Sequence, residues 1–338
     1  MNLNFLEKSP ILFEMFGTII SGTNNVFSVE CDDGILRACS LKGKKVKTER
    51  QFYNPLAPGD RVQVEEDSLS EKKGRILELC ERRNSFSRWN IKGQKPQLLA
   101  ANLDFLILVT TPAEPPFRPR FLDRELIQGE AQELVPIIVV NKFDLAQELP
   151  PEEKSAFEER LENWESLGYE VKRISAKTGE GLMDLAEMLQ GKRSVLVGHS
   201  GVGKSSLVNR LDNSVVLKTG SLSKKYGRGA HTTTKGSLIH LTLNEAFTGG
   251  IKGVRADIID TPGIRRFMLG EIPHGDVALY FREFRPLLGK CKFGASCTHT
   301  CEDGCKILEA VESGAILGDR YESFRRITEE IRTGNWKD

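Results

Sequence analysis

A short apolar strand that runs into a glycine-rich loop restricts the fold of this chain more than any other feature. Residues 194–197 (SVLV) predict the strand, and the next nine residues are Gly198, His199, Ser200, Gly201, Val202, Gly203, Lys204, Ser205 and Ser206. This is the P-loop pattern G-x-x-x-x-G-K-[ST], placed after a strand and before a helix. Its backbone N–H groups can surround phosphates, and a helix N-terminus favours an anion. The alternative is a chance glycine-rich turn, against which the strand and helix setting argues.

Two side chains of this loop have expected roles. Lys204 is expected to reach the β- and γ-phosphates, which makes it a nucleotide-binding and a candidate catalytic residue. Ser205 is expected to ligate magnesium. His199 occupies a variable position of the pattern, and no chemistry is assigned to it.

A second strand, at 257–259, ends in Asp260-Thr261-Pro262-Gly263. Asp260 is placed to hold magnesium, directly or through water, and the N–H of Gly263 can contact the γ-phosphate. Alone, this motif is only moderately specific, because ordinary turns at strand ends use similar residues.

Two further motifs suit a guanine base. Asn141, Lys142, Phe143 and Asp144 follow a strand at 137–140, and Ser175, Ala176 and Lys177 follow another at 171–174. The Asp144 carboxylate can accept hydrogen bonds from guanine N1–H and N2–H, whereas adenine has an acceptor at N1 and no N2 amino group. Ser175-Ala176-Lys177 would contact the ring through a backbone N–H. Each motif alone could be a simple turn.

The four motifs together predict a GTP site, because all follow strands of a mostly parallel sheet, where α/β folds bind ligands. Their order is circularly permuted. The motifs at 141 and 175 precede the P-loop at 198, whereas ordinary small GTPases have the P-loop first. The same sheet can form with this order of motifs if the positions of the two chain ends in an ordinary GTPase are joined near residues 190–192.

Three domains are expected. Residues 1–85 predict an OB-like β-barrel, because short alternating strands are joined by turns, one of them Asp-Asp-Gly between 26–30 and 35–38. Residues 86–275 form the permuted α/β GTPase domain, in which strands and helices alternate. Residues 276–338 form a mostly helical zinc-binding module.

The zinc prediction rests on four ligands within fifteen residues, Cys291, Cys297, His299 and Cys305. A Cys3His set is typical of closed, tetrahedral structural zinc sites. Cys301 could replace Cys305, although it lies only two residues from His299. Disulfides and a catalytic zinc are the less favoured alternatives, since the chain is expected in the reducing cytoplasm and no general base stands nearby.

With these motifs, the chain resembles the RsgA (YjeQ) family of circularly permuted GTPases that depend on the small ribosomal subunit. The resemblance rests on residues 198–206, on His-Thr-Thr-Thr at 231–234 and on the Cys/His set, in a chain with the family's domain order. It implies GTP hydrolysis stimulated by the small subunit, a role late in that subunit's maturation, and a monomer. The family also uses this Cys/Cys/His/Cys arrangement for zinc.

The segment 218–236 lies where the first switch loop belongs. Thr233 or Thr234 is the expected second hydroxyl ligand of magnesium, and the sequence leaves the choice open. Ile264 occupies the position where many GTPases have a glutamine that orients water, so another group must act there. His231 is the candidate, which the resemblance also favours. A solvated loop histidine is the alternative.

Basic stretches suggest an RNA surface. One runs from Arg37 to Arg50, a second from Arg82 to Lys95 with Phe86 and Trp89 among its residues, and a third from Lys218 to Lys235, in a chain of net charge +1. Each could be a solvated face, but their segregation indicates an anionic partner, with ribosomal RNA favoured over a membrane.

Two functions remain open on the sequence. The first is a GTP hydrolase accelerated by the small ribosomal subunit. The second is a GTP-switched rRNA-binding checkpoint in which hydrolysis only drives release. A membrane GTPase or a modification enzyme finds no support, because no basic amphipathic helix, lipidation signal or second catalytic set is present.

Overall fold

A five-stranded closed barrel forms the N-terminal part of the protein. The computed structural model describes residues 14–23, 25–41, 52–217, 236–261, 267–269 and 272–334. The barrel strands are β1 (Met15–Thr23), β2 (Val26–Cys31), β3 (Leu36–Leu41), β4 (Arg61–Asp67) and β5 (Ser70–Leu79). They close in the order β1-β2-β3-β5-β4, with β3 and β5 parallel. Alternate residues such as Val29, Val62 and Ile76 fill the interior. The predicted OB-like barrel is confirmed.

A six-stranded sheet forms the centre of the molecule. Its strands are β8 (Phe105–Thr110), β9 (Pro136–Val140), β10 (Glu170–Arg173), β11 (Arg193–Val197), β12 (Ser237–Thr242) and β13 (Arg255–Asp260). They lie in the order β10-β9-β8-β11-β13-β12. Five are parallel, and the edge strand β12 is antiparallel to β13. The predicted, mostly parallel α/β sheet is therefore confirmed.

Three helices connect parallel strands, and a fourth leads from β11 to the antiparallel edge strand β12. They are α1 (Pro119–Ala131), α2 (Pro151–Ser166), α3 (Leu182–Leu189) and α4 (Lys204–Leu211). The central strands β8 and β9 are apolar along nearly their whole length, because helices cover both faces of the sheet. The permutation joint falls in the turn between α3 and β11, where the N–H of Gly191 donates to Arg255 O at 2.8 Å.

A hairpin that was not predicted from the sequence lies between barrel and sheet. It comprises β6 (Ser85–Asn90) and β7 (Lys95–Ala101), which pair antiparallel. Phe86 of this hairpin is fully buried and stacks on Phe267, with ring centroids 5.7 Å apart. The hairpin thus packs into the core of the sheet rather than serving as a linker.

The C-terminal region is mostly helical, as predicted. It contains short 3₁₀ turns followed by α5 (Lys306–Glu312) and α6 (Gly318–Thr333). Phe324 and Ile327 of α6 belong to the same buried apolar cluster as the residues of α1. Among the described helices, none is both long enough and apolar enough to cross a bilayer.

Candidate GTP site and metal centre

One buried side chain links three of the predicted motifs. Asn141 follows β9 and is 1% exposed. Its amide nitrogen donates to Val202 O of the P-loop at 2.9 Å. Its Oδ1 accepts from the N–H of Ala176 at 3.1 Å. The guanine motifs and the P-loop are therefore held against one another at the carboxyl edge of the sheet.

The P-loop backbone requires glycine where it passes Asn141. Gly203 has φ +95°, and a Cβ added there would lie 2.3 Å from the Asn141 amide nitrogen. Gly198 has φ +147°, and a Cβ there would lie 2.3 Å from Val109 O. Any larger residue would displace the loop whose N–H groups are predicted to face phosphate.

Lys204 begins α4 and is almost completely buried. Its Nζ donates to Gly198 O at 2.7 Å and to His199 O at 3.2 Å, so the ammonium lies inside the curve of the loop. Burial lowers the pKa of Lys204, while the carboxyls of Asp260 and Glu125 oppose that shift. The loop thus holds a cation where phosphates would bind.

Asp260 ends β13 beside the P-loop strand. In the sheet it pairs in register with Leu196 of β11, and the next residue, Thr261, donates from Oγ1 to Leu196 O at 2.6 Å. Burial raises the pKa of Asp260, and the charge of Lys204 opposes this. Ser205, the other predicted magnesium ligand, follows Lys204 and is partly exposed. A carboxylate and a hydroxyl are oxygen ligands of the kind that magnesium prefers.

The predicted guanine-recognition residues leave an acceptor without a partner among the residues that the structure describes. Asp144 lies in a 3₁₀ turn fastened by a bond from the Phe143 N–H to Ile174 O at 2.9 Å. Its Oδ1 is buried and has no hydrogen-bond partner in the described part of the chain. Such an atom is costly unless a ligand donates to it, which fits a guanine N–H. Lys142 has a left-handed backbone, and its Nζ donates to Glu114 O.

Ser175 and Ala176 follow β10 in a short turn. Ser175 is fully buried, and its Oγ accepts from the N–H of Thr178 at 3.1 Å. Lys177 is exposed beside them. His231, Thr233, Thr234 and Gly263 lie outside the described residues, and their roles stay predictions.

An acidic residue that was not predicted from the sequence lies behind the P-loop. Glu125 of α1 is fully buried, and with His199 and Val202 it lines a small cavity. The ring of His199 lies edge-on to Phe121 at 5.6 Å, and its Nε2 lies 3.3 Å from Arg118 Nη1. The helical spacing of apolar residues could have predicted the burial of Glu125, because this residue lies on the same helix face as Leu122 and Leu126.

The four predicted zinc ligands form one cluster. Their ligand atoms, Cys291 Sγ, Cys297 Sγ, His299 Nδ1 and Cys305 Sγ, all lie within 4.8 Å of one another, and all four residues are buried. Cys291 Sγ lies 3.9 Å from Cys305 Sγ and 3.6 Å from His299 Nδ1. Tetrahedral zinc with bonds of about 2.3 Å to sulfur would separate two sulfurs by roughly 3.8 Å. The donor set therefore fits zinc, whereas Cys301 is exposed.

Backbone and side-chain contacts fix this cluster. The N–H of Lys306, at the start of α5, donates to Cys291 Sγ at 3.3 Å. Tyr321 of α6 donates from its hydroxyl to His299 O at 2.9 Å. Glu302 accepts from the N–H groups of Thr298 and Thr300 at 2.7 and 2.9 Å, which shapes the loop between the ligands. Such supporting contacts orient ligands before a metal binds.

The family model for the RsgA GTPase matches residues 79–270, which is more than half of the chain. The chain belongs to this family. It is accordingly a GTPase, an enzyme that hydrolyses GTP to GDP and phosphate. The match begins at Leu79, the last residue of barrel strand β5, and includes all four nucleotide motifs.

Relatives of known name cover almost the full chain. "Small ribosomal subunit biogenesis GTPase RsgA" of Chlorobaculum parvum is 36% identical over 324 residues, 93% of this chain and 97% of the relative. The protein of the same name from Shewanella oneidensis is 37% identical over 95% of this chain and 85% of its own length.

Two solved structures share this fold. The crystal structure of YjeQ from Thermotoga maritima has a TM-score of 0.70 and 29% identity, and it covers 94% of this chain and 98% of its own. YloQ, described as a circularly permuted GTPase, has a TM-score of 0.65 and 25% identity, with 96% and 97% covered. The permuted order of motifs in this RsgA-family chain is thus shared with a solved relative.

The structure corrects two members of the predicted RNA surfaces. Arg37 is 1% exposed and pairs with Asp33 at 2.7 Å, so it is a buried part of the barrel. Phe86 is 0% exposed in the core and cannot stack on a base. Both were misassigned because a sequence run does not show which strand face points inwards.

The second basic stretch is only partly available to RNA. Arg82 binds Asp60, a fully buried carboxylate, at 2.7 Å. Arg83 is 57% exposed and pairs with Asp104, while Lys92 and Lys95 lie exposed at the hairpin tip. The remaining basic residues of 42–50 and 218–235 lie outside the described residues.

Proposed function

We propose that this RsgA-family GTPase is stimulated by the small ribosomal subunit and acts late in the assembly of that subunit. The names of its relatives support a role in small-subunit biogenesis. The exposed basic residues at the hairpin tip support contact with ribosomal RNA. The protein would act in the cytoplasm, as a monomer.

The position of Asn141 is the main support for the proposed nucleotide site. Its side chain bonds both the P-loop and the Ser175-Ala176-Lys177 turn. Residues 198–206 would bind the phosphates, and Asp144 would bind the guanine edge with its unpartnered oxygen. Adenine would leave that oxygen unpaired, which accounts for base selection.

The chain's own groups explain how hydrolysis is favoured. Lys204 would leave the loop carbonyls that it now contacts and neutralise charge on the β- and γ-phosphates. Ser205, Asp260 and Thr233 or Thr234 would hold magnesium, which adds further charge neutralisation when bound. Gly263 would contact the γ-phosphate through its N–H.

His231 is proposed to orient the attacking water. Ile264 stands where many GTPases have a water-orienting glutamine, and a hydrocarbon side chain cannot hydrogen-bond water. His231 lies in the segment assigned to the first switch, so ribosomal RNA that holds this histidine beside the γ-phosphate would complete the site. Slow hydrolysis by the isolated protein follows from this arrangement.

The decisive experiment compares GTP hydrolysis with small subunits, with large subunits and with neither. Acceleration by small subunits alone is expected, and it should weaken as salt rises because RNA binding releases counterions. Equal rates in all three arms would contradict the proposal. A His231→Ala variant should keep GDP binding and lose most of the stimulated rate, and full stimulation would exclude His231.

A GTP-switched checkpoint, in which hydrolysis only drives release, is the second candidate. The buried ion pairs between α1 and α6 favour it, because they connect the nucleotide domain to the C-terminal module. Multiple-turnover kinetics separates the two functions. A rate limited by release from the subunit, rather than by hydrolysis, would support the checkpoint.

The Cys3His cluster is proposed to hold one structural zinc. All four ligand atoms would be occupied by protein, which leaves no position for water or substrate. Zinc would then stabilise the C-terminal module and take no part in hydrolysis.

A further inference from the structure

Glu125 is a carboxylic acid in an unusual place. It lies on α1 directly behind the P-loop and is 0% exposed. Neither of its carboxyl oxygens has a hydrogen-bond partner in the part of the chain that the structure describes. Burial of an unpaired carboxylate is far more costly than burial of the neutral acid. The position therefore selects against the ionised form unless a cation compensates for it.

The space around Glu125 excludes bulk water. The carboxyl borders a cavity of about 10 Å³, near the lower limit for a single water molecule. Val202 and His199 of the P-loop form one side of this cavity, and Arg118 and Phe121 form another. Solvent therefore cannot replace the missing hydrogen bonds of Glu125 to any large extent.

The compensating cation is the P-loop lysine. Lys204 is the charged group that favours ionisation of Glu125, while burial acts in the opposite sense and raises the pKa of Glu125 well above its ordinary value. From β13, Asp260 also acts on Lys204. Arg118 and His199 face the same cavity, but Arg118 is exposed and lies against His199 at 3.3 Å. Burial is thus the main influence on the charge state of Glu125, and Lys204 is the charged group that opposes it.

Bound phosphates would change this balance. In the proposed nucleotide site, Lys204 pairs with the β- and γ-phosphates, whose negative charge offsets its own. Glu125 would then retain its burial and lose the attraction that favours its ionised form. The neutral acid is consequently more strongly favoured with nucleotide bound than without it.

We propose that Glu125 takes up a proton from solvent when nucleotide enters the P-loop, so that nucleotide binding weakens as pH rises. This inference rests on the proposed nucleotide site. The bound state has the higher proton affinity, so nucleotide affinity is constant at low pH. Nucleotide affinity then falls by up to about tenfold per pH unit between the pKa of Glu125 in the free protein and its pKa in the nucleotide-bound protein. Glu125 is a positioning residue here, since it acts on the phosphates through Lys204.

The test measures GDP binding with magnesium by calorimetry, using the full-length chain from about pH 6 to about pH 9, above the ordinary carboxyl range. Each titration is repeated in two buffers of different ionisation enthalpy, which gives the number of protons taken up. Glu125→Gln keeps the shape of the side chain and removes the group that takes up the proton. Glu159→Gln, on the exposed side of α2, is the matched control.

The wild type and Glu159→Gln should take up more protons than Glu125→Gln and should lose affinity more steeply with pH. The titration of GDP itself is common to all three proteins and cancels in the comparison. Equal proton uptake and equal pH dependence in wild type and Glu125→Gln would overturn the coupling. Glu125→Met provides a second neutral variant should the glutamine variant be unstable.

The two levels of the proposal fail differently. If the wild type bound no GDP at any pH, the nucleotide site itself would be wrong. If the wild type and Glu125→Gln both bound GDP with the same proton uptake, only the role of Glu125 would be wrong.

Discussion

The buried carboxylate of Asp123 lies between two guanidinium groups, Arg160 of α2 and Arg320 of α6. Burial alone would raise its pKa, but the two arginines outweigh burial and hold that pKa below its ordinary value. Asp123→Asn would leave two buried cations without their common anion. We expect the free energy of unfolding to fall by about 3–5 kcal/mol, measured by urea denaturation at neutral pH.

Asp319→Asn is the matched control for Asp123. Asp319 contacts the same Arg160, at 3.2 Å, but its side chain is 52% exposed. Its removal should cost less than about 1 kcal/mol. Equal losses in the two variants would show that burial does not set the strength of these pairs.

Residues in short motifs were predictable from the sequence, whereas residues whose role depends on packing were not. Lys204 and Asn141 are set by a local pattern of strand, loop and spacing. The same applies to the four residues of the Cys3His cluster. Arg37, Phe86 and Glu125 depend on which face of an element becomes buried, and that is decided by partners distant in the chain.

At the scale of elements, β12 links the barrel to the nucleotide sheet through His240. Its Nδ1 lies 2.7 Å from Asp257 Oδ1 on β13, and its Nε2 lies 3.0 Å from Glu30 Oε2 on barrel strand β2. Arg193 binds the same Asp257 at 3.0 Å. The hydrogen bond to Asp257 is the main cause that raises the pKa of His240, and Glu30 adds to it. Two carboxylates favour the imidazolium, which can donate from both nitrogens.

His240→Gln should therefore lower the melting temperature in a pH-dependent way. The folded-state pKa is raised, so the stabilisation is fully present below the unfolded value of about 6.5. It is lost as pH rises through the folded value. The difference in melting temperature between wild type and variant should be largest in mild acid and should shrink at alkaline pH. His274→Gln, at an exposed histidine, is the control, and a difference that does not vary with pH would contradict this role.

The order and type of most elements followed from the sequence, but two features did not. The alternation of strands and helices predicted the parallel sheet because each apolar run has its own helix. Strand β12 pairs antiparallel with β13, a direction that its residues do not encode. The β6–β7 hairpin was predicted only as a basic, RNA-facing stretch, because its arginines and lysines obscured the alternation that Phe86, Leu98 and Ala100 provide.

At the scale of the whole molecule, the C-terminal module returns to the helix that lies behind the P-loop. Helix α1 carries Glu125 on the side of the P-loop, and it binds α6 through Arg124 with Glu330 and Asp123 with Arg320. Phe281 and Phe324 extend the same apolar cluster into the C-terminal module. The C-terminal module, which follows β13 in the chain, is thus held against the sheet domain by buried contacts with α1.

Because of this shared core, loss of zinc should destabilise more than the C-terminal module. Metal binding energy contributes directly to folding where ligands converge only in the native state. Cys297→Ser removes one buried ligand, so we expect the variant to lose its single zinc and to melt at a lower temperature than wild type. The wild type treated with a chelator should behave in the same way. Cys301→Ser alters an exposed thiol two residues from His299 and should keep both zinc and melting temperature.

Metal analysis and thermal unfolding, carried out on the same preparations with and without GDP, separate the possible results. If α6 transmits the loss of zinc to α1, GDP should stabilise the zinc-free protein less than the wild type, since α1 supports the P-loop. Full zinc content in Cys297→Ser would contradict the ligand set. Zinc loss with unchanged stabilisation by GDP would show instead that the C-terminal module unfolds without affecting the nucleotide site.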